Sequence, residues 1–438
     1  MNEISVDRYL GKAVNLSLVL NLVKSSGPLS RAEIATRSGL SAATVSNLSA
    51  ELIESGFVHE TGVVETSRGR PPVMLSLNSK AKYVVGVKVM PGSLVAVVTD
   101  LDAQVVSYQE STTPDEVSGD NAETLPADVI GAVARLVESV VARSGVNQAD
   151  LLGVGLGLAG IVDSTTGTCR YSPFFGWRNV DLASPLASQL GLDVYLENDV
   201  NSLTIAEQWF GDGRGHDSFV VVTVGSGVGA GFVLNGQFYG GNGRGVGELG
   251  HITVMPGGPV CGCGKRGCLE VMASDTALIA AATDAVARGQ LTTLSESAEM
   301  TLQTLVTAAT DGDEVARGLL ADSGRWLGVG LGMIVNLLNP ELLIVAGEGV
   351  EAGSWRLDPM RAALEENRFD SLGAGTRLVV ESAGDVTWAR GAACVVLSEF
   401  FKSPLHRGRT AAVPAAIGAA PNGIPRTVRH NVKGGEST

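Results

Sequence analysis

Residues 245–270 read GVGELGHITVMPGGPVCGCGKRGCLE, and they hold the spacing that is most informative about the fold. One histidine precedes three cysteines in the pattern His-x9-Cys-x-Cys-x4-Cys, formed by His251, Cys261, Cys263 and Cys268. An imidazole and three thiolates suit a closed tetrahedral zinc site, in which four protein ligands leave no position open for catalysis. We therefore expect a single structural Zn2+ in each chain, against the alternative of a loop of free cysteines.

The composition is typical of a multi-domain globular protein. Of 438 residues, 45% are hydrophobic and 18% are charged, and a usual size of about 100 to 200 residues per domain predicts two or three packed units. The five cysteines are an odd, clustered set, which favours a metal site in a reducing compartment over a disulfide framework. The apolar stretches are too short and too rich in glycine for a membrane-spanning helix. These features predict a cytoplasmic protein.

The acidic charge is unevenly distributed along the chain. The formal net charge is −14, which as a total disfavours nucleic acid because Lys and Arg must neutralise phosphates. Residues 1–81 contain eight Lys or Arg and seven Asp or Glu, so this segment is near +1 and the other residues carry −15. A DNA-binding part is therefore expected at the N-terminus.

The N-terminal segment has the pattern of a winged helix-turn-helix. Residues 15–25 (NLSLVLNLVKS) place apolar residues at helical spacing and stop at Gly27-Pro28. Two further helices are expected, each with a serine cap and separated by a glycine turn: Ser30 to Ser38, Gly39, and Ser41 to about Ser55. The alternating run after Gly56, the basic turn SRGRPP and the run VMLSLN predict a β-hairpin, or wing.

The second of these two helices is the candidate DNA reader. In a helix-turn-helix this helix enters the major groove and presents its N-terminal residues to the bases. We expect Val45, Leu48 and Leu52 to face the core. The alternative is a helical domain used only for dimerisation. The candidate DNA-binding residues are Ser41, Thr44, Ser46 and Asn47 on the helix, and Arg68 and Arg70 in the wing.

From about residue 82 apolar strand candidates alternate with helical segments, which indicates an α/β architecture. Strands are expected at YVVGVKV, LVAVVTDLD, QVVSYQE, LLGVGLGLAGIV, DVYLEND, FVVVTVGSGVGAGFVLNG, ELLIVAGEG and TRLVVESAG, and helices near 126–144, within 275–337 and near 387–401. We expect a DNA-binding domain over 1–81, an effector domain over 82–402, and a disordered tail over 403–438 that is rich in Gly, Pro, Ala and Arg.

Several motifs in order resemble the ROK family (repressors, open reading frames and sugar kinases), including its xylose, N-acetylglucosamine and glucose repressors. They are Glu197-Asn198-Asp199-Val200-Asn201, Gly225-Ser226-Gly227-Val228-Gly229, Gly247-Glu248-Leu249-Gly250-His251, and the Cys-Gly-Cys-Gly-x-x-Gly-Cys-Leu-Glu run ending at Glu270. The resemblance spans residues 15–402. It implies a two-lobed actin-like ATPase (ribonuclease H-like) fold, with lobe one at about 82–200 plus 376–402 and lobe two at about 201–375.

The resemblance also implies roles for individual residues. In ROK sugar kinases the Asp of the Asn-Asp pair deprotonates the sugar hydroxyl, and Asp199 falls on that position. Asn198, Glu248, His251 and Glu270 match positions that contact sugar hydroxyls, which carboxylates and amides can bind several at a time. A helix cap is the alternative for Asp199 alone.

The chain departs from the kinase pattern at the first phosphate loop. The family's Asp-x-Gly-Gly-Thr corresponds to Lys88-Val89-Met90-Pro91-Gly92, in which proline lacks an amide donor and lysine cannot coordinate magnesium. We therefore expect that phosphoryl transfer is lost and that Asp199 is a vestigial base. Gly347-Glu348-Gly349 replaces a common Gly-Gly near the adenosine region, and Phe174 stands where sugar-binding relatives often have Asn.

Together these patterns predict a sugar-responsive transcriptional repressor that binds a sugar or sugar phosphate without phosphorylating it. The expected partners are double-stranded operator DNA and further copies of the chain, in a homodimer or homotetramer. Two alternatives stay open. One is an active, ATP-dependent sugar kinase with an appended DNA-binding domain, and the other is a repressor controlled by a protein partner.

Overall fold

A computed structural model describes most of the chain: residues 8–63, 72–113, 125–241, 245–296 and 299–403. The described residues form two compact units, the first ending at Asn78 and resuming at Phe401, and the second spanning Ser79–Phe400. The predicted wing residues Arg68 and Arg70, and the predicted tail from residue 404 onward, lie outside the described residues. Within the described part of the chain, no helix is both long and apolar enough to cross a membrane.

The first unit has three helices and a small antiparallel sheet. In chain order the elements are α1 Arg8–Ser26, β1 Leu29–Ser30, α2 Arg31–Ser38, α3 Ala42–Glu54, β2 Val58–Val63 and β3 Val73–Leu77. The strand order is β1-β3-β2, so β2 and β3 form the predicted hairpin. Val45, Leu48 and Leu52 of α3 are buried, which confirms that this face of the helix points to the core.

Local chemistry sets the boundaries of these helices. The Ser30 hydroxyl accepts a bond from the Glu33 amide, and the Glu33 carboxylate accepts one from the Ser30 amide, which makes a capping box at the start of α2. α2 ends at Gly39, whose φ of 71° is left-handed. Ser41 caps α3 by accepting from the Thr44 amide. The predicted caps and glycine turn are confirmed.

The first half of the second unit is built on a five-stranded sheet. Its elements are β4 Tyr83–Met90, β5 Ser93–Asp100, β6 Val105–Ser111, α4 Pro126–Ser144, β7 Leu151–Leu158, β8 Ile161–Asp163, β9 Thr168–Ser172, β10 Trp177–Asp181, α5 Ala183–Leu190 and β11 Val194–Asn198. The order is β11-β7-β4-β5-β6, in which β4, β5 and β6 are antiparallel and β7 and β11 are parallel to β4. Strands β8 to β10 form a separate antiparallel sheet, of which β9 and β10 were not predicted.

The second half repeats this strand pattern. Its elements are α6 Asp199–Phe210, β12 Phe219–Val224, β13 Val228–Leu234, β14 Gln237–Phe238, α7 Glu270–Ala273, α8 Asp275–Ala287, α9 Leu302–Thr310, α10 Glu314–Leu338, β15 Leu342–Ala346, α11 Ser354–Asn367, β16 Arg377–Glu381 and α12 Asp385–Phe401. The order is β14-β13-β12-β15-β16, again with three antiparallel strands followed by two parallel ones. The predicted α/β architecture is confirmed.

The predicted boundary between the two lobes is wrong for β16, the strand that precedes α12. The sequence-based boundary puts β16 in lobe one, but β16 pairs in parallel with β15 in the second sheet. The physical reason is that β15 is buried along its whole length and needs a strand on each side. α12, in contrast, packs on the first sheet: a Cβ on Gly155 would lie 1.9 Å from the Ala392 carbonyl oxygen. The same helix also places Trp388 in the apolar cluster of Phe219 and Ile344 in the second half, so α12 contacts both halves.

Candidate metal and effector site

The four candidate metal ligands converge at one loop. The donor atoms of His251, Cys261, Cys263 and Cys268 all lie within 4.8 Å of one another. His251 Nδ1 is 3.5 Å from Cys261 Sγ, and Cys263 Sγ is 3.7 Å from Cys268 Sγ. Tetrahedral zinc, with bonds of about 2.3 Å to sulfur and about 2.0 Å to nitrogen, separates its ligands by about 3.5 Å (N to S) and 3.8 Å (S to S). Both the donor set and its spacing fit this metal.

Backbone and lysine contacts hold the loop around this cluster. The Gly264 amide donates to the Cys261 carbonyl at 2.9 Å, and the Cys261 amide donates to the Lys265 carbonyl at 2.8 Å. Lys265 Nζ donates to the His251 carbonyl at 2.6 Å, which joins the two ends of the motif. Gly267 has a φ of +67°, and a Cβ there would lie 1.7 Å from the Met255 carbonyl oxygen, so only glycine fits. The loop geometry is thus built into the sequence.

Three of the predicted sugar-binding residues lie beside this cluster. His251 Nε2 is 3.9 Å from Glu248 Oε2. Glu270, the first residue of α7, points its Oε2 at the Val228 amide from 3.4 Å. Burial raises the pKa of the Glu248 carboxyl, His251 opposes this shift, and the neighbouring Glu270 adds to it. The structure therefore brings Glu248, His251 and Glu270 together as one polar group.

Asn198 and Asp199 stand where β11 gives way to α6. Asn198 is the N-cap: its Oδ1 accepts from the Asn201 amide at 3.1 Å, and its Nδ2 donates to the Gly160 carbonyl at 3.0 Å. Asp199 Oδ1 accepts from the Val200 amide at 2.9 Å. Burial raises the pKa of Asp199, while the Val200 amide and Lys88 oppose the shift. The helix cap considered for Asp199 is instead made by Asn198.

The glycine loop Gly225–Gly229, at the turn from β12 to β13, lies against residues of both groups described above. A Cβ on Gly225 would lie 2.7 Å from Glu348 Oε2, and one on Gly227 would lie 2.9 Å from Glu270 Oε2. A Cβ on the third glycine of the loop, Gly229, would lie 2.7 Å from the side chain of Val200, next to Asp199. This loop therefore lies in direct contact with the side chains of Glu348, Glu270 and Val200.

The segment aligned with the first phosphate loop has a different structure here. Pro91 and Gly92 form the two-residue turn of the hairpin between β4 and β5, in which Met90 pairs with Ser93. The Gly92 amide donates to the Thr113 hydroxyl at 2.6 Å, and proline has no amide hydrogen. Neither turn residue offers a free backbone donor to a phosphate.

Lys88, on β4, is engaged in an ion cluster that sequence reasoning missed. Its Nζ lies 2.7 Å from Asp385 Oδ1 and 3.5 Å from Glu348 Oε1, and Trp388 Nε1 donates to the same Glu348 oxygen at 2.9 Å. Lys88 and Asp385 are 297 positions apart in the chain. In the sequence, the indication of this cluster is that Lys88 stands at the position of the family's Asp and that Gly347-Glu348-Gly349 replaces a common Gly-Gly.

Four of the six candidate DNA-binding residues, Ser41, Thr44, Ser46 and Asn47, lie at the start of α3 or in its first two turns. Ser46 and Asn47 are exposed, as are the small residues Ala42 and Ala43 beside them. Ser41 is also exposed, but its hydroxyl caps the helix and lies 2.8 Å from the Thr44 hydroxyl. Among these four described residues, Ser46 and Asn47 are thus the exposed polar ones that take no part in the helix cap.

Comparison with known proteins agrees with this geometry. The ROK family model matches residues 85–399, and the model of the IclR helix-turn-helix domain matches residues 14–62. The chain belongs to the ROK family. The xylose repressor of Bacillus subtilis (strain 168) is 29% identical over 398 residues, which cover 90% of this ROK protein and 97% of the repressor. The DNA-binding transcriptional dual regulator NagC of Escherichia coli (strain K12) is 29% identical over 343 residues, covering 78% and 82%.

Two solved structures confirm the fold of this ROK protein. A ROK family transcriptional regulator described as a homologue of the E. coli MLC protein superposes with a TM-score of 0.76 at 27% identity, covering 89% of this chain and 96% of the other. A ROK family glucokinase from Streptomyces griseus, in complex with glucose and AMPPNP, gives a TM-score of 0.61 at 28% identity, covering 72% and 98%. The predicted sugar-kinase fold with an N-terminal helix-turn-helix is confirmed.

Proposed function

We propose that this ROK protein is a sugar-responsive, DNA-binding transcriptional repressor, and that its kinase-like unit binds a sugar or sugar phosphate without phosphorylating it. The observation that carries the proposal is the tight turn at Pro91 and Gly92, which removes the first phosphate loop from a chain that begins with a helix-turn-helix. The curated relatives named xylose repressor and NagC support the regulatory role.

The effector site proposed here is the polar group around the zinc loop. Glu248, His251 and Glu270 would accept and donate bonds to sugar hydroxyls, and Asp199 with Asn198 would bind the same ligand without acting as a catalyst. The complex of the S. griseus glucokinase with glucose supports a sugar as the ligand class. Phe174 is 45% exposed in place of the Asn of sugar-binding relatives, and it would make the selectivity differ from theirs.

In this proposal zinc has a structural and not a catalytic role. Four protein ligands close its coordination sphere, so it supplies fixed loop geometry and no reactive water. This proposal is supported by His251, whose Nδ1 lies beside Cys261 Sγ and whose Nε2 faces Glu248. Loss of the metal would therefore disorder the effector site without removing a chemical step.

The proposed mechanism is allosteric and requires an oligomer. A sugar that prefers one closure of the two halves of the effector unit would shift the population towards that closure. In a homodimer or homotetramer this would change the spacing of paired α3 helices, which must match half-sites about one DNA turn apart. The protein would act in the cytoplasm and leave its operator when the sugar binds.

Three measurements on the full chain test the proposal. Selection from a random double-stranded oligonucleotide library should return a defined site. A thermal-shift screen of monosaccharides and their phosphates should return a ligand that raises the melting temperature and weakens binding to that site. An ATP-dependent phosphorylation assay over the same panel should show no turnover, and turnover that Asp199→Asn abolishes would show an active kinase instead. Binding of no sugar, with DNA release by a protein partner, would also refute the proposal.

A further inference from the structure

Lys88 lies at the centre of a cluster that links the two sheets of the effector unit. It belongs to β4, the central strand of the first sheet, whereas Glu348 follows β15 of the second sheet. The Lys88 side chain is only 12% exposed, and its Nζ lies 5.6 Å from the centre of the Trp388 ring. Trp388 in turn donates to the Glu348 oxygen that faces Lys88. The largely buried ammonium group thus faces an aromatic ring and two carboxylates, and it also interacts electrostatically with the buried Asp199 carboxyl.

Lys88 and Glu348 both lie at positions that correspond to nucleotide-binding segments of ROK sugar kinases. Lys88 occupies the position of the loop Asp that helps to place the metal, and Glu348 is inserted between Gly347 and Gly349 near the adenosine region. Glu348 Oε2 also lies against the glycine loop Gly225–Gly229, within 2.7 Å of a Cβ built on Gly225. A carboxylate lies over this glycine loop, and an ammonium group replaces the metal-placing carboxylate, so magnesium nucleotide does not fit the residues present.

We propose that Lys88 and Glu348 form an internal ion bridge that takes the place of bound magnesium nucleotide and holds the two sheets of the effector unit together. The ammonium supplies the positive charge, and the carboxylate supplies the oxygen anion against the glycine loop. A bridge of this kind is always present, so the resting closure of the unit is independent of ATP. The proposal shares with the proposed function only the loss of nucleotide use.

Asp385 and Glu348, the two carboxylates that contact Lys88, belong to different parts of the effector unit. Asp385 begins α12, and this helix contacts both halves of the unit: Ala392 lies against Gly155 of the first sheet, and Trp388 lies in the apolar cluster with Phe219 and Ile344 of the second. Of the two carboxylates, Glu348 is the one that directly follows a strand of the second sheet. The Lys88 side chain is 12% exposed and that of Glu348 is 44% exposed, so removing the carboxylate leaves a largely buried ammonium with less compensation. Lys88→Met and Glu348→Gln should each loosen the cleft, and Asp385→Asn should loosen it less.

Hydrogen–deuterium exchange of the full chain, without DNA or sugar, tests this bridge. In Glu348→Gln, whose altered residue follows the second sheet, amides of residues 88–94 on the first sheet should exchange about tenfold faster than in the wild type. In Lys88→Met the same should hold for residues 347–352. Lys82→Met is the matched control, because Lys82 makes an ion pair of 2.8 Å with Asp150 inside the first half, and it should change neither segment.

The opposite results would overturn the proposal. If Glu348→Gln leaves residues 88–94 unchanged, or if Asp385→Asn deprotects residues 347–352 as strongly as Glu348→Gln deprotects 88–94, no bridge joins the sheets. Protection of residues 225–229 in the wild type by millimolar ATP with magnesium would show that the nucleotide space is not filled. Since the experiment uses neither operator nor effector, its failure is distinguishable from failure of the repressor function.

Discussion

His251 Nε2 lies 3.9 Å from Glu248 Oε2, while Nδ1 on the other side of the ring lies 3.5 Å from Cys261 Sγ. One imidazole therefore faces both the metal cluster and the proposed effector site. A metal on Nδ1 fixes the tautomer, so that Nε2 carries the hydrogen and can donate to Glu248 or to a ligand. The zinc loop and the sugar site are thus expected to respond together.

The first prediction concerns this coupling. Cys263→Ser removes a thiolate from the cluster, and we expect zinc content to fall from about one metal per chain to near zero, together with loss of the thermal shift caused by the effector. Metal analysis and the thermal-shift screen measure the two effects. Cys169→Ala is the matched control, because Cys169 is buried in the core of the first half, away from the cluster. Full metal loss with an unchanged effector response would separate the two sites.

The second prediction distinguishes a structural from a DNA-facing role for Ser41. Ser41→Ala removes the acceptor for the Thr44 amide and should cost about 1 kcal/mol of stability. Ser41→Asp keeps a cap and adds a favourable charge at the helix N-terminus, so stability should be retained while DNA phosphates are repelled. Thermal unfolding and DNA titration of both variants check this. Tight DNA binding by Ser41→Asp would place the N-terminus of α3 away from the phosphates.

Local signals account for what the sequence predicted well. Ser30, Gly39 and Ser41 act on their own helix ends, so the helix-turn-helix could be outlined from neighbouring residues. The four residues of the His/Cys cluster could be picked out because their spacing is set by a single loop. Two features depend on residues far apart in the chain: the pairing of β16 with β15, and the contact between Lys88 and Glu348. No short-range sequence pattern encodes such pairs. The same holds for the amide of Asn198, whose bond to the Gly160 carbonyl crosses between elements.

The third prediction concerns base reading. Asn47 is exposed on α3, and Asn47→Ala should weaken binding to the selected site by about 1 to 3 kcal/mol with little effect on unrelated DNA. Arg70→Ala should weaken binding to all sequences and flatten the salt dependence by about one unit of slope. Thr36→Ala, at an exposed position of α2, is the control. Equal losses on every sequence for Asn47→Ala would exclude base reading there.

The fourth prediction is a pH dependence of stability. Burial raises the pKa of Glu381 to about 7, with further increases from the carboxylates of Glu207 and Asp212 and an opposing effect of Arg390. Because this pKa lies above the ordinary value of 4.5, the folded state binds the proton more tightly than the unfolded state. The resulting stability is complete below pH 4.5 and is lost as the pH rises through about 7.

Glu381→Gln keeps a neutral side chain and should remove this loss. The melting temperature of the wild type should fall from pH 5 to pH 8 by several degrees more than that of the variant, as followed by circular dichroism. Glu366→Gln, at an exposed position on α11, should follow the wild type. Parallel curves for wild type and Glu381→Gln would mean that Glu381 ionises normally in the folded protein.

The last prediction tests how α12 packs on the first sheet. A Cβ on Gly155 would lie 1.9 Å from the Ala392 carbonyl oxygen, a backbone atom that cannot turn aside. Overpacking of this kind costs about 1 to 3 kcal/mol or more, so Gly155→Ala should lower the melting temperature of the effector unit by at least several degrees in calorimetry. Gly131→Ala is the control within the same half: its nearest neighbour is the flexible end of Arg135 at 3.4 Å, and alanine is favoured over glycine in a helix by about 1 kcal/mol. It should therefore raise the same transition, and a similar shift in both variants would mean that α12 does not approach β7 as closely as described.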